Sequence, residues 1–173
     1  MEQFDVYDNN RVKTGLVLDR GIKLQENQCR LVVHVCIFNE QNQMLIQQRQ
    51  PFKKGWPNLW DITLSGHSLT GETSQQSAAR EMREELGLNY DFTDIRPYFT
   101  INFKNGFDDF YFLKAEEIDM STLKLQEEEV QAVKWATKED IEKLFDEGKF
   151  VPYIKSLILS LFDMKEMYGI VIN

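Results

Sequence analysis

The sequence has few of the residues that build disulfide scaffolds, zinc sites or nucleic-acid grooves. Its 173 residues include 2 cysteines and 2 histidines, and 20 basic side chains face 28 acidic ones, for a formal net charge of −8. Cys29 and Cys36 form neither a CxxC pair nor a Cys/His zinc spacing. We therefore expect buried, reduced thiols. The negative charge disfavours nucleic acid and anionic membrane surfaces as partners.

Long apolar runs are also absent. No stretch reaches the length that spans a bilayer, and the acidic beginning, residues 1–5, lacks the apolar core of a signal peptide. We therefore expect a cytoplasmic protein without a membrane partner. The chain is 42% hydrophobic and 28% charged, which is typical of globular proteins. Its length suits a single domain, and we predict one domain over residues 1–173.

One stretch, residues 66–88, stands out from the rest of the chain. It reads GHSLTGETSQQSAAREMREELGL. Thr73 and Gln76 have the spacing of a capping box, and Gly87 suits the left-handed residue that ends a helix. A glycine-containing loop is therefore predicted to lead into one helix, and the helix is predicted to stop at Gly87.

The predicted helix has two different faces. Ala78, Met82 and Leu86 recur at helical spacing and form an apolar stripe. A second face carries a row of carboxylates, namely Glu81, Glu84 and Glu85. Carboxylate oxygens are ligands that Mg2+ and Mn2+ prefer. The alternative is a solvated acidic face, but such a face does not require the glycines and Glu72 at fixed spacings upstream.

The complete pattern over residues 66–88 resembles the Nudix box, the signature of hydrolases that act on nucleoside diphosphates linked to another moiety. The flanking run from Leu31 to His67 resembles the branch that contains isopentenyl-diphosphate isomerase and its hydrolase relatives. The resemblance implies an α/β fold, the Nudix α/β/α sandwich with a mixed sheet. It also implies Mg2+ or Mn2+ as cofactor, and hydrolysis of a pyrophosphate bond in a small nucleoside diphosphate derivative.

The resemblance also assigns roles within the box. Glu81, Glu84 and Glu85 are expected to ligate metal, and the backbone carbonyl of Gly66 and the Glu72 carboxylate are expected to complete or support this shell. Arg80 is expected to hold a glutamate in place. We take Glu84, Glu85 and Arg80 as the candidate catalytic residues. The base that activates water differs among relatives and lies either in the box or outside it.

Candidates outside the box fall into three groups. A basic loop before the box is a candidate for phosphate binding through Arg49, Lys53 and Lys54, although an ordinary solvated loop has the same composition. An acidic loop, Glu127, Glu128 and Glu129, is a candidate source of the base, with a solvated turn as the alternative. Asp108, Asp109 and His67 are further candidates for facing the metal.

Two other functions stay open at this stage. An isomerase is disfavoured because Ser65 stands where those relatives have a cysteine and Arg30 stands where they have a histidine. A non-catalytic ligand sensor with the same fold is disfavoured by the intact box. The identity of the diphosphate that is cut stays open at this stage. The oligomeric state stays open as well, with a homodimer as one possibility.

Strands outnumber helices along the chain, which indicates an α/β domain with a mixed sheet. Predicted strands cover residues 4–7, 11–20, 31–38, 44–48, 60–64, 95–103, 107–114 and 133–135. Besides the box helix, Thr137 is predicted to cap a helix over residues 138–146. A last helix is predicted over residues 153–167, with an apolar stripe of Ile154, Leu157, Ile158, Leu161 and Phe162.

Overall fold

The structure is a computed structural model, and it describes residues 2–167. Across these residues the chain forms nine strands and three α-helices. The strands are β1 (Gln3–Tyr7), β2 (Lys13–Asp19), β3 (Arg30–Phe38), β4 (Met44–Arg49), β5 (Trp60–Asp61), β6 (Leu64–His67), β7 (Phe99–Phe103), β8 (Gly106–Lys114) and β9 (Val130–Ala136). The helices are α1 (Ser74–Leu86), α2 (Lys138–Asp146) and α3 (Lys155–Met164).

Strand β3 is the centre of a mixed sheet. It pairs in parallel with β8 and antiparallel with β6. The seven-stranded sheet runs β5-β4-β3-β8-β7, with β6 also paired to β3 and β9 to β4. Strands β1 and β2 form a separate antiparallel pair, the N-terminal arm. Almost all of β3 is buried, as expected for a strand covered on both faces.

The two faces of the sheet are covered by different helices. On β3, Val33, Val35 and Ile37 point to the face on which α1 packs, because side chains alternate along a strand. Cys36 and Phe38 point to the opposite face, which α2 and α3 cover. The described residues therefore form an α/β/α sandwich with a mixed sheet, which confirms the predicted fold class.

The chain enters the box differently from the prediction. A single strand over residues 60–64 was expected, followed by a loop at Gly66, but two short strands are present and Gly66 lies inside β6. Between them, the Thr63 hydroxyl donates to the carbonyl of Leu45 (2.5 Å) and accepts from the amide of Ile37 (2.9 Å). Thr63 lies where the chain stops pairing with β4, as β5, and starts pairing with β3, as β6. Its side-chain bonds take the place of backbone pairing at this point.

The starts of α3 and β7 also differ from the prediction. Helix α3 begins at Lys155, because Ile154 has an extended backbone and precedes the first turn. Ile154 was predicted as part of the apolar stripe, but it is 71% exposed, whereas Ile158, Leu161 and Phe162 are buried. Residues 95–98 are not in a strand, and β7 begins at Phe99.

Two expectations from what the sequence lacks can be compared with the described residues. Cys29 and Cys36 are both buried and outside any disulfide, as predicted. Among the helices in residues 2–167, none combines the length and apolarity needed to cross a bilayer.

Candidate active site

Helix α1 is held at both ends by its own residues. The Thr73 hydroxyl accepts from the Gln76 amide (3.2 Å), and the Gln76 side chain accepts from the Thr73 amide (2.9 Å), so the predicted capping box is present. Gly87 ends the helix with a left-handed backbone, φ 66°. The predicted apolar stripe, Ala78, Met82 and Leu86, is fully buried. This packing turns the acidic face of α1 toward β6 and toward the box loop, residues 68–73, which connects β6 to α1.

Arg80 is the hub of that acidic face. Its Nε donates to Glu72 (2.7 Å), its Nη1 to both Glu81 and Glu84 (2.9 Å each), and its Nη2 to the His67 carbonyl (2.8 Å). Burial opposes the charged form of Arg80, but the hydrogen bond to Glu72 and the other carboxylates outweigh it and raise its pKa. Arg80 was expected to hold one glutamate, and in the structure it donates hydrogen bonds to three.

Glu72 closes the box loop. Besides Arg80, its carboxylate accepts from the Leu69 amide and from the Ser77 hydroxyl, both at 2.9 Å. Burial raises the pKa of Glu72, but the hydrogen bonds, with Arg80 foremost, lower it below its usual value. Glu72 is therefore held as a carboxylate that fixes the loop against the first turns of α1.

Gly66 is required by its distance from Glu81. A Cβ atom at position 66 would lie 2.0 Å from the Glu81 carboxyl carbon, so no larger residue fits without displacing that carboxylate. The Glu81 side chain is 13% exposed. Its pKa is raised because burial disfavours the charge more strongly than Arg80 favours it. The backbone of β6 and this carboxylate thus lie in direct contact.

Glu85 is the most buried carboxylate of the box, at 7% exposure. Gln47 of β4 donates to it through Nε2 (3.0 Å), while Gln47 Oε1 has no hydrogen-bond partner among the residues that the structure describes. Burial, and next the charge of Glu81, raise the pKa of Glu85 to about 8. Gln47 was missed in the sequence, where its only signal is a polar residue two positions after Leu45 in an otherwise buried strand.

The donor chemistry of this face suits a divalent cation. Glu81 and Glu85 are carboxyls whose raised pKa values reflect buried negative charge with too little positive charge nearby, and a cation would supply it. In the arrangement shown by residues 2–167, however, no three His, Cys, Asp or Glu side chains converge as a metal site. Glu81 and Glu84 instead share one nitrogen of Arg80.

The basic and acidic loops meet beside the box. Lys53 forms an ion pair with Glu129. The Gln50 side chain donates to the Glu127 carbonyl (2.8 Å), which fastens the two loops together. The charge of Glu129 is among the causes that raise the pKa of Glu85, so the acidic loop lies within electrostatic reach of the box.

The other members of these loops have different environments. Arg49 points inward, toward the buried Asp61 carboxylate (3.4 Å) and the Gly55 carbonyl (3.0 Å). Lys54 and Glu128 are exposed, and within residues 2–167 neither side chain forms an ion pair. The cationic group of this loop that is free for a ligand is therefore Lys54, whereas Lys53 is already paired.

Asp109 is not brought to the acidic face of α1. It is fully buried on β8 and accepts from Arg11, from the Ser74 hydroxyl (2.5 Å) and from the Thr100 hydroxyl (2.6 Å). Because these donors come from the arm, from α1 and from β7, Asp109 fastens three elements together.

Asp108 and His67 lie on the other face of the sheet. Both are register partners of Val32, and successive side chains on a strand point to opposite faces. Asp108 is 3.0 Å from His34 Nε2. Burial, and then the charge of Arg30, lower the pKa of His67 to about 4. The His67 ring therefore points away from the α1 carboxylates, while its carbonyl accepts from Arg80.

Known proteins share this architecture and sequence. A family model described as the NUDIX domain matches residues 29–155. A protein of Listeria monocytogenes named as an uncharacterised Nudix hydrolase is 46% identical over 165 residues, which are 95% of this chain and 96% of that protein.

Solved structures agree in fold. A crystal structure from Deinococcus radiodurans matches with a TM-score of 0.74 and 22% identity, over 96% of this chain and 100% of that one. The MutT protein of Methanosarcina mazei matches with a TM-score of 0.59 and 20% identity, over 82% of this chain and 96% of that one. The family match and the close relative together show that the chain belongs to the Nudix hydrolase family.

Proposed function

We propose that this Nudix hydrolase uses a divalent cation to hydrolyse the pyrophosphate bond of a nucleoside diphosphate linked to another moiety. The observation that carries the proposal is the cluster of Glu72, Glu81 and Glu84 around Arg80, with Gly66 in contact with Glu81. Members of this family generally act on nucleoside diphosphate derivatives. The cluster gives this chain the carboxylate groups that such chemistry needs.

Mg2+ or Mn2+ is the proposed cofactor. Glu81, Glu84 and Glu85 would hold it, with the Gly66 carbonyl as a further oxygen ligand and Glu72 as support from the loop. When bound, such a cation polarises phosphate oxygens and lowers the pKa of a bound water. Arg80 would then keep Glu72 in place. Glu81 and Glu84 would give up part of their contact with its guanidinium in order to bind the cation.

The proposed base is Glu84 or Glu85, and their environments divide the work. The Glu84 side chain is 46% exposed, so water reaches it and it can take the proton of the attacking water. Glu85 is buried and accepts a hydrogen bond from Gln47, so it is better placed to act as a fixed ligand of the metal ion. Glu129 is a third candidate, because it lies near Glu85, but in this structure it is engaged with Lys53.

Phosphate binding is proposed for the basic loop. Lys54 is exposed and is available to a phosphate directly. Lys53 would exchange the Glu129 carboxylate for a phosphate oxygen. Arg49 is bonded to the Gly55 carbonyl and lies near Asp61, so its proposed role is to shape the loop that presents the two lysines.

The test is a hydrolysis panel of nucleotide sugars, ADP-ribose, dinucleoside polyphosphates and nucleoside triphosphates. We expect turnover of at least one class with Mg2+ or Mn2+, and none in excess chelator. Glu85→Gln should lower kcat by about 10² to 10⁴-fold, because it removes a charged ligand while keeping size. Glu139→Gln, an exposed charge removal on α2, should keep the wild-type rate. Undiminished turnover in chelator would refute the proposal.

A further inference from the structure

Arg30, the first residue of β3, carries a charge that no described carboxylate neutralises in an ion pair. Its Nε is buried without a hydrogen-bond partner, and within residues 2–167 its side chain forms no ion pair. Its guanidinium lies 5.8 Å from the Phe103 ring centroid. Burial, and also the like charge of Arg20, lower the pKa of Arg30, with Asp108 opposing. A partly buried guanidinium without an acceptor is unfavourable, and an anionic ligand would relieve it.

Arg20 is a second guanidinium in the same place. Its ion-pair partner is Glu2, and the two side chains are 53% and 50% exposed. Arg20, Arg30, His67 and Glu2 line a common cavity of about 20 Å³. That volume holds about one water molecule. A larger anion would therefore need the space beside Arg20 that the Glu2 carboxylate occupies.

This cavity adjoins the box but lies across the sheet from the carboxylates. The Arg20 amide donates to the Glu2 carbonyl (2.8 Å), and the Thr70 amide of the box loop donates to the Gln3 carbonyl (2.9 Å). These bonds hold the arm against the loop. Because His67 and Gly66 are consecutive in β6, one lines the cavity while the other contacts Glu81. A ligand that passes the end of β6 can therefore reach both places.

We propose that Arg20 and Arg30 form an anion subsite for a second phosphate group of the substrate, beyond the pyrophosphate that the box cleaves. Guanidinium groups match phosphate oxygens in geometry and charge, and Glu2 is the acid that the incoming phosphate replaces on Arg20. The inference rests on the proposed function for the identity of the substrate. It narrows the substrate class to nucleoside diphosphate derivatives whose linked moiety carries a further phosphate.

The subsite can be tested without turnover or metal. Inorganic phosphate is titrated into the full chain in chelator at constant ionic strength, and the arginine Nε–H resonances are followed by NMR. We expect the Arg30 resonance to shift and saturate. Arg30→Gln and Arg20→Gln should weaken phosphate binding about tenfold or more, because each removes one charge-assisted contact. Glu2→Gln should tighten binding several-fold, roughly in proportion to the competition it removes.

Arg96→Gln is the matched control, because Arg96 is exposed and belongs to none of these contacts. It should bind phosphate like the wild type. An Arg30 resonance that phosphate leaves unmoved, or equal phosphate affinity in Arg30→Gln and wild type, would overturn the subsite. Because this titration needs no hydrolysis, an inactive wild type and a missing subsite are separate results.

A second measurement addresses the substrate class. For the wild type, kcat/KM should be higher for a substrate with the additional phosphate than for the same compound without it. Arg30→Gln should reduce this preference about tenfold, through KM, because the contact is remote from the bond that breaks. A preference unchanged by Arg30→Gln would contradict the proposal.

Discussion

At the scale of single residues, the box contains more buried negative charge than its partners neutralise. Arg80 serves Glu72, Glu81 and Glu84 at once, so none of these has a cation to itself. Among the described residues, the one side chain that donates a hydrogen bond to Glu85 is Gln47, and the pKa of Glu85 rises to about 8 because of its burial. Within residues 2–167, this face therefore carries more negative than positive charge, and a bound cation would balance it.

The raised pKa of Glu85 predicts how the metal-free protein responds to pH. Between the ordinary glutamate pKa of 4.5 and about 8, the folded state binds a proton that the unfolded state has released. The free energy of unfolding should therefore fall as pH rises through this window, by about 1.4 kcal/mol per pH unit at most. Urea unfolding in chelator from pH 5 to 8 measures it. Glu85→Gln should flatten the slope, and equal slopes in both proteins would contradict the assignment.

Contact between Gly66 and Glu81 predicts a coupled pair of substitutions. Gly66→Ala places a methyl group where the Glu81 carboxyl lies, so it should destabilise the protein by roughly 1 to 3 kcal/mol and reduce hydrolysis. In a Glu81→Ala background the same change should lower the free energy of unfolding very little, because the obstructing carboxylate is gone. Unfolding of the two single variants and the double variant measures this coupling. Additive losses would show that the two residues do not touch.

The sequence predicted those residues whose partners are close along the chain. The capping box of Thr73 and Gln76 and the position of Arg80 beside the glutamates follow from helical spacing alone. Gln47 and Arg30 were not predicted as parts of the site, because the residues that surround them in the fold are distant in the sequence. Gln47 contacts Glu85, and Arg30 shares a cavity with Arg20 and His67. Asp109 was a candidate for facing the metal, but its three actual donors come from separate elements that are distant in the sequence.

At the scale of elements, α1 is fixed more firmly than the loops around it. Its stripe is buried against β3 and β6, its first turn is bonded to Asp109 through Ser74, and its last turn ends at Gly87. The basic and acidic loops are joined by one ion pair and by the Gln50 side chain. The break between β5 and β6 at Thr63 was not predictable from the sequence. The groups that bond to Thr63 belong to Ile37 of β3 and Leu45 of β4.

The loop pairing predicts the effect of Glu129→Gln. If Glu129 only competes with phosphate for Lys53, its removal should lower KM several-fold and change kcat little, roughly as expected for a contact made in the ground state. Glu128→Gln, which removes a charge from the same loop without breaking an ion pair, should change KM less. Steady-state kinetics with unchanged metal affinity distinguish the roles. A kcat loss as large as that of Glu85→Gln would instead make Glu129 the base.

At the scale of the whole molecule, an acidic chain surrounds two local concentrations of positive charge. The net charge is −8, yet Lys53 and Lys54 are neighbours in the basic loop, and Arg20 and Arg30 line one cavity beside His67. The arm is tied to the sandwich by Arg11 and Asp109, so we propose that the described residues act as one domain. Such a molecule repels anions in general and admits them where cations, including a bound metal, are placed.

The central claim is that the carboxylates of α1 bind the divalent cation that hydrolysis requires. Titration of Mn2+ followed by electron paramagnetic resonance tests it most directly, with the wild type, Glu81→Gln and Glu85→Gln, and with Glu139→Gln as the charge-matched control. We predict that each box variant weakens Mn2+ binding at least about tenfold, since a charged ligand is lost, and that the control binds like the wild type. Equal Mn2+ affinity in all four proteins would contradict the claim.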